Sequence, residues 1–180
     1  AVDKFGWDTR PSPRPRDNGP VVTGRGISAP SGGGNSTIVA TIAEVEVNLQ
    51  TGYVRVKRLV CAHDCGLVVN PDGLENVIQG NLLQSASRVL KEETTFDTMK
   101  VTSVDWVTYP ILRHMDVPDK IDVVFVNGDP NPNRPDLPHL PGGEPSTGPT
   151  SAAIANAIFD ATGVRLRRAP FTPERVKAAL

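Results

Sequence analysis

The stretch Thr37-Ile38-Val39-Ala40-Thr41-Ile42-Ala43-Glu44-Val45-Glu46-Val47, followed across Gln50-Thr51-Gly52 by Tyr53-Val54-Arg55-Val56-Lys57-Arg58-Leu59-Val60, decides the fold class. Both runs are rich in β-branched residues and meet at a short turn containing glycine, the pattern of a β-hairpin. Glu44, Glu46, Arg55 and Lys57 alternate with Val45, Val47, Val54 and Val56, which predicts an antiparallel sheet with one wet and one buried face. Cys61-Ala62-His63-Asp64-Cys65 prolongs the second strand, and a period of two puts Cys61, His63 and Cys65 on one face. Three such residues raise a zinc reading. Structural zinc sites draw paired ligands from two separated segments, however, and no second Cys or His pair follows at suitable spacing. Small buried cysteines beside a hydrogen-bonded core histidine are the preferred reading.

Downstream, Asn70-Pro71-Asp72-Gly73 closes the strand and opens a helix, in which Leu74, Val77, Ile78, Leu82, Leu83, Ala86, Val89 and Leu90 follow the helical period. Gly80, Ser85, Ala86 and Ser87 let a sheet or a bound group approach this helix, and Gln79 and Gln84 are its polar candidates for facing such a group. Extended segments are expected at residues 91–97, 101–109 and 121–126, with a break at Pro110. Alanines and bulky apolar residues between Thr150 and Thr162 predict a second long helix, with Pro149 in its first turn and Gly163 as its stop. Pro173 starts a last helix. Strands and helices in this order predict an α+β fold, a mixed and largely antiparallel sheet packed with helices.

Upstream, Val2, Phe5 and Trp7 recur at roughly helical spacing, and the prolines of residues 10–20 exclude a regular ladder. Residues 1–36 are accordingly expected to form an extended arm and Gly/Pro-rich linker, and residues 37–180 the folded domain. The arginines Arg10, Arg14, Arg16 and Arg25 read as a solvated basic linker in preference to a grip on a neighbour. Gly24, Gly26 and the triple glycine at 32–34 lack the lysine and context of a phosphate loop and read as a turn entering the strand. A net charge of -1 with 22% charged residues gives no bias toward nucleic acid or anionic membrane. No apolar run approaches the roughly 18 to 20 residues that span a bilayer, and no signal-peptide pattern opens the chain. Two cysteines give no secretory indication, so the cytoplasm is the default compartment, with the periplasm as the alternative. A start at Ala1 without methionine suggests a piece of something longer.

Pro141-Gly142-Gly143-Glu144-Pro145 places one carboxylate between two glycines and a helix start. The glycines admit close backbone approach and the prolines stiffen the path, so Glu144 reads as a presented acid, against the plainer reading of an exposed glutamate in a tight turn.

The order of these pieces resembles the C-terminal portion of the molybdopterin-binding large subunit of the xanthine dehydrogenase and aldehyde oxidase family, nearest the isoquinoline 1-oxidoreductase and nicotinate dehydrogenase-like branch. The resemblance rests on the hairpin Ala43–Val56, on His63-Asp64-Cys65-Gly66 with Asn70-Pro71-Asp72, and on Gly80-Asn81 with Gln84-Ser85. It continues through Asp105-Trp106 with Tyr109-Pro110-Ile111-Leu112, Gly143-Glu144-Pro145 with Ala152–Ala157, and Pro173-Glu174-Arg175-Val176. It implies a molybdenum-cofactor-binding domain and a hydroxylase acting on an N-heterocycle or aldehyde, with water as oxygen source. Glu144 matches the family's catalytic base, and Gly142, Gly143, Gln79 and Gly80 are the implied cofactor contacts. No side chain is implied as a metal ligand, since the pterin holds the molybdenum. Also implied are a molybdopterin cytosine dinucleotide, the remaining part of the large subunit and a partner subunit with iron-sulfur clusters; the isolated chain is expected to be inactive. Val77 stands where family members carry a glutamine, and Leu140-Pro141-Gly142-Gly143-Glu144 replaces their Gly-Val-Gly-Glu form. A non-catalytic assembly domain of the same descent is the competing expectation.

Overall fold

A computed structural model describes residues 1–15, 19–29, 37–126 and 140–180. The triple glycine at 32–34, Arg16 and the proline-rich loop 129–139 lie outside the described residues. The hairpin forms as its alternation demands. Strands β1 (Val21–Ser28), β2 (Ile38–Asn48), β3 (Val54–Asp64) and β4 (Lys120–Phe125) make one sheet in the order β1-β2-β3-β4. The first two pairings are antiparallel and β3 pairs β4 in parallel, so the sheet is mixed and largely antiparallel.

Between Glu44 and Val45 the β2–β3 register shifts, leaving Lys57 opposite no partner. One extra residue changes the inward parity of β3. Val54 and Val56 face the core before the bulge, and Leu59, Cys61 and His63 after it. Helix α1 spans Val2–Phe5, α2 Pro71–Leu90, α3 Thr147–Thr162 and α4 Pro173–Ala179. The Asn70 side chain caps α2 by accepting from the Gly73 amide at 3.0 Å, and α3 ends at Gly163, as expected. Ile78, Leu82 and Ala86 of α2 and Ala153, Ile154, Ala157 and Ile158 of α3 join the valines of β2 and β3 in one core. No described helix is long and apolar enough to cross a membrane.

Three expectations change. Val21–Ser28, read as part of the linker, is a sheet strand, because Gly24 and Gly26 bring α3 down onto it: a Cβ on either would overlap the α3 backbone at Ala153, Ala157 or Ala161. The described arm is not a solvated linker either. Arg10 forks onto Asp160 of α3 at 2.9 and 2.6 Å, the Arg14 amide donates to the Asp160 carbonyl, and Arg25 stacks over Trp7 at 4.1 Å. Residues 91–97 and 101–109 form no strand beyond an isolated Phe96–Val101 bridge. Asp97 Oδ1 accepts from the amides of Met99 and Lys100, and Asp105 Oδ1 from those of Val107 and Thr108, so side chains take the donors that a ladder would need.

Candidate functional site

The path to Glu144 is tied at successive peptides. The Leu140 amide donates to the Cys65 carbonyl at 2.9 Å, and Thr37 Oγ1 donates to the Pro141 carbonyl at 2.6 Å. His63 Nε2 lies 3.2 Å from the Gly142 carbonyl, and the Gly143 carbonyl accepts from the Ser146 amide at 3.0 Å and its hydroxyl at 2.6 Å. A carbonyl accepts only, so His63 Nε2 carries the proton and, in the neutral ring, Nδ1 keeps the lone pair. That Nδ1 is buried without a hydrogen-bond partner among the described residues. Burial pushes the imidazole pKa below its ordinary value, against the opposing pull of the Gly142 carbonyl and Asp64.

Glu144 then opens a 3-10 turn, Glu144–Ser146, that runs directly into α3. Its side chain is exposed and has no hydrogen-bond or ion-pair partner among the described residues. It shares the lining of an open cavity of about 400 Å³ with Asn81, Gln84, Arg88 and Thr147. Asn81, Gln84 and Arg88 recur at three and four residues, one face of α2, and Val77 continues that face toward the helix start. Asn81 Nδ2 donates to the Val77 carbonyl at 2.9 Å, and Thr147 Oγ1 reaches Asn81 Oδ1 at 3.4 Å. Gln84 and Arg88 are exposed at the cavity, and neither side chain has a hydrogen bond or ion pair among the described residues.

The expected site residues divide on this geometry. Glu144 stands at the cavity. Gly143 is buried against α2, where a Cβ would collide with Val77 and with Asn81 Nδ2, so its small size serves the seating of the helix. A Cβ on Gly142 would meet only Leu74 Cδ1, at 2.8 Å. Gly80 faces open space, and Gln79 turns away to donate to Glu75 Oε1 at 3.0 Å. Five residues separate Gln79 from Gln84, roughly 140° around the helix. Arg88 and Thr147 were missed by sequence reasoning, although the period running from Val77 through Asn81 and Gln84 reaches Arg88. Cys61 and His63 both lie on β3, whereas Cys65 follows its end; burial raises the Cys61 thiol to about 11 and pushes Cys65 up as well. Among the described residues no three His, Cys, Asp or Glu side chains stand together to hold a metal.

The profile of the Molybdopterin cofactor-binding domain family matches residues 20–118, which hold the whole β1–β3 sheet and α2. The chain belongs to that family. It corresponds to part of the molybdopterin-binding subunit of the xanthine dehydrogenase and aldehyde oxidase family of molybdenum-dependent oxidoreductases. It is 43% identical over 178 residues to a nicotinate dehydrogenase subunit of Pseudomonas putida, covering 96% of this chain and 14% of that protein. Among solved structures, aldehyde oxidoreductase from Desulfovibrio gigas matches 79% of this chain and 15% of its own, with 32% identity and a TM-score of 0.68. Quinoline 2-oxidoreductase from Pseudomonas putida 86 matches 79% of this chain and 18% of its own, with 29% identity and a TM-score of 0.71. The fold expected of a molybdenum-cofactor-binding domain is therefore the observed one.

Proposed function

We propose that this chain supplies the base-bearing wall of a molybdenum hydroxylase site, in which Glu144 takes a proton from water as its oxygen is added to an electron-poor carbon of an N-heterocycle or aldehyde. The observation that carries this reading is a carboxylate with no partner among the described residues, at a polar cavity, on a backbone tied at Leu140, Pro141, Gly142 and Gly143. A general base needs that combination of a free side chain and a fixed main chain, because proton transfer requires a heavy-atom approach of about 2.6–3.2 Å. Gln84 and Arg88 offer unengaged donors into the same cavity, and Asn81 and Thr147 offer side-chain oxygens, a set suited to the oxygen- and nitrogen-rich surface of a pterin dinucleotide. When bound, the molybdopterin centre supplies the redox chemistry, which this chain's side chains cannot. In this reading the cofactor is molybdopterin cytosine dinucleotide, and electrons leave through iron-sulfur clusters of a partner subunit.

The test is Glu144→Gln in the complete, cofactor-loaded assembly, with nicotinate and benzaldehyde as heterocycle and aldehyde probes. The expected result is a fall in kcat of about 100- to 10,000-fold, the usual weight of a positioned base, at unchanged molybdenum content. Undiminished turnover would overturn the role and favour an assembly domain.

A further inference from the structure

We infer that His63 is a positioning residue for Glu144, acting through the Gly142 peptide; the inference rests on the reading of Glu144 as the base. His63 lies on β3, 79 residues from Gly142 in the chain, and is 1% exposed. On β3 it stands across from Val39 of β2 and Phe125 of β4, in a buried position of the kind that apolar side chains usually occupy. An imidazole there leaves Nδ1 buried with no partner among the described residues, a burden that an apolar side chain would not carry. What the imidazole adds is one N–H, and that N–H meets the Gly142 carbonyl.

The place of that contact gives it consequence. Thr37 holds the Pro141 carbonyl, and Ser146 holds the Gly143 carbonyl from within the turn that starts at Glu144. Between them the Gly142 carbonyl has no hydrogen-bond partner other than His63 among the described residues. Gly142 also lacks the Cβ that would restrict its dihedrals. His63 therefore ties the Gly142 peptide, two residues before the carboxylate. A misplacement of a base by about 1 Å suffices to cost on the order of 100-fold in rate.

The experiment uses the assembled enzyme with nicotinate and benzaldehyde as probes, comparing His63→Leu, His63→Gln, Glu144→Gln and the His63→Leu/Glu144→Gln double variant. His63→Leu is expected to lower kcat about 10- to 100-fold while KM moves less than about twofold. His63→Gln, whose amide nitrogen reaches about as far as Nε2 and donates to a carbonyl, is expected to recover most of that loss. The double variant is expected to be no slower than Glu144→Gln alone, because a residue that acts only by placing another adds nothing once the other is disabled. Faster hydrogen exchange at the Leu140 and Ser146 amides of His63→Leu is the readout independent of turnover.

Wild-type kcat and exchange in His63→Leu, or multiplicative losses in the double variant, would overturn the inference. Should His63→Leu fail to accumulate, His63→Gln decides alone: a kcat within about threefold of wild type supports the tie, and a deeper loss in a folded, loaded enzyme refutes it. An active Glu144→Gln enzyme would sink the base itself, while the exchange measurement would still report whether His63 holds the loop.

Discussion

Gly24 and Gly26 lie beneath α3, and Gly142 and Gly143 lie against α2, yet the two pairs are built for different purposes. On β1 both glycines point at the same helix, as a period of two requires, and a methyl group on either would overlap main-chain atoms of α3. Neither the strand ladder nor the helix backbone can give way there. At the site only Gly143 meets such an obstacle, the Val77 carbonyl with the Val77 and Asn81 side chains, while Gly142 faces the flexible end of Leu74. The first pair is wholly a packing device; the second joins a wedge to a pivot, and the pivot is the member tied by His63.

Substitutions can break or sharpen this contrast. Gly26→Ala is expected to act most strongly, destabilising the fold by at least about 3 kcal/mol through overpacking of α3, seen as a melting temperature lower by roughly 6–12 °C. Asp160→Asn attacks the same contact between β1 and α3 and is expected to cost about 2–3 kcal/mol, since it strands Arg10 and weakens the bond from the Arg25 amide. Burial works to raise the Asp160 carboxyl, but Arg10, the Arg25 amide and Ser12 outweigh it and hold it below the ordinary carboxylate range. A depressed carboxylate stabilises the fold above its unfolded pKa, about 3.9, and loses that contribution as pH falls through the lower folded value. Acid titration of unfolding below about pH 4 should therefore be steeper in the wild type than in Asp160→Asn.

At the site, Gly143→Ala is expected to cost about 1–2 kcal/mol and to depress turnover by displacing the start of the Glu144 turn. Gly142→Ala should cost less than about 1 kcal/mol, because Leu74 can rotate aside. Equal effects of the two would erase the distinction between wedge and pivot. Smallest of all, Gln79→Ala should change stability by no more than about 0.5 kcal/mol and leave molybdenum content unaltered, since among the described residues its amide bonds only to Glu75. Loss of molybdenum in that variant would return Gln79 to the site.

Much of the frame was legible because its signals are local. Alternation through Val45, Val47, Val54 and Val56 specifies the hairpin, Asn70-Pro71 and Gly163 mark helix ends, and the position of Glu144 before α3 follows from Pro145 and Pro149. The parallel seat of β4 beside β3 is decided across dozens of intervening residues, where no local pattern speaks. Residues 101–109 misled because β-branched content suggested a strand, while Asp97 and Asp105 carried the opposing turn signal. Site residues divided along the same line. Glu144 is marked by its immediate neighbours, whereas the service of His63 to Gly142 depends on a contact that only the folded chain creates.

The unpaired Lys57 gives the wet side of the sheet authority over the buried side. It works as a phase shifter: every residue from Arg58 onward owes its orientation to that single interruption. Pairing straight through Lys57, with no residue left over, would carry the inward beat of Val54 and Val56 on to Arg58, Val60 and Ala62 and turn His63 to the opposite face. The bond to Gly142 would be lost although no atom near Glu144 had been altered, so the aim of the acid depends on a lysine whose own amine points to Glu46 and Asp119.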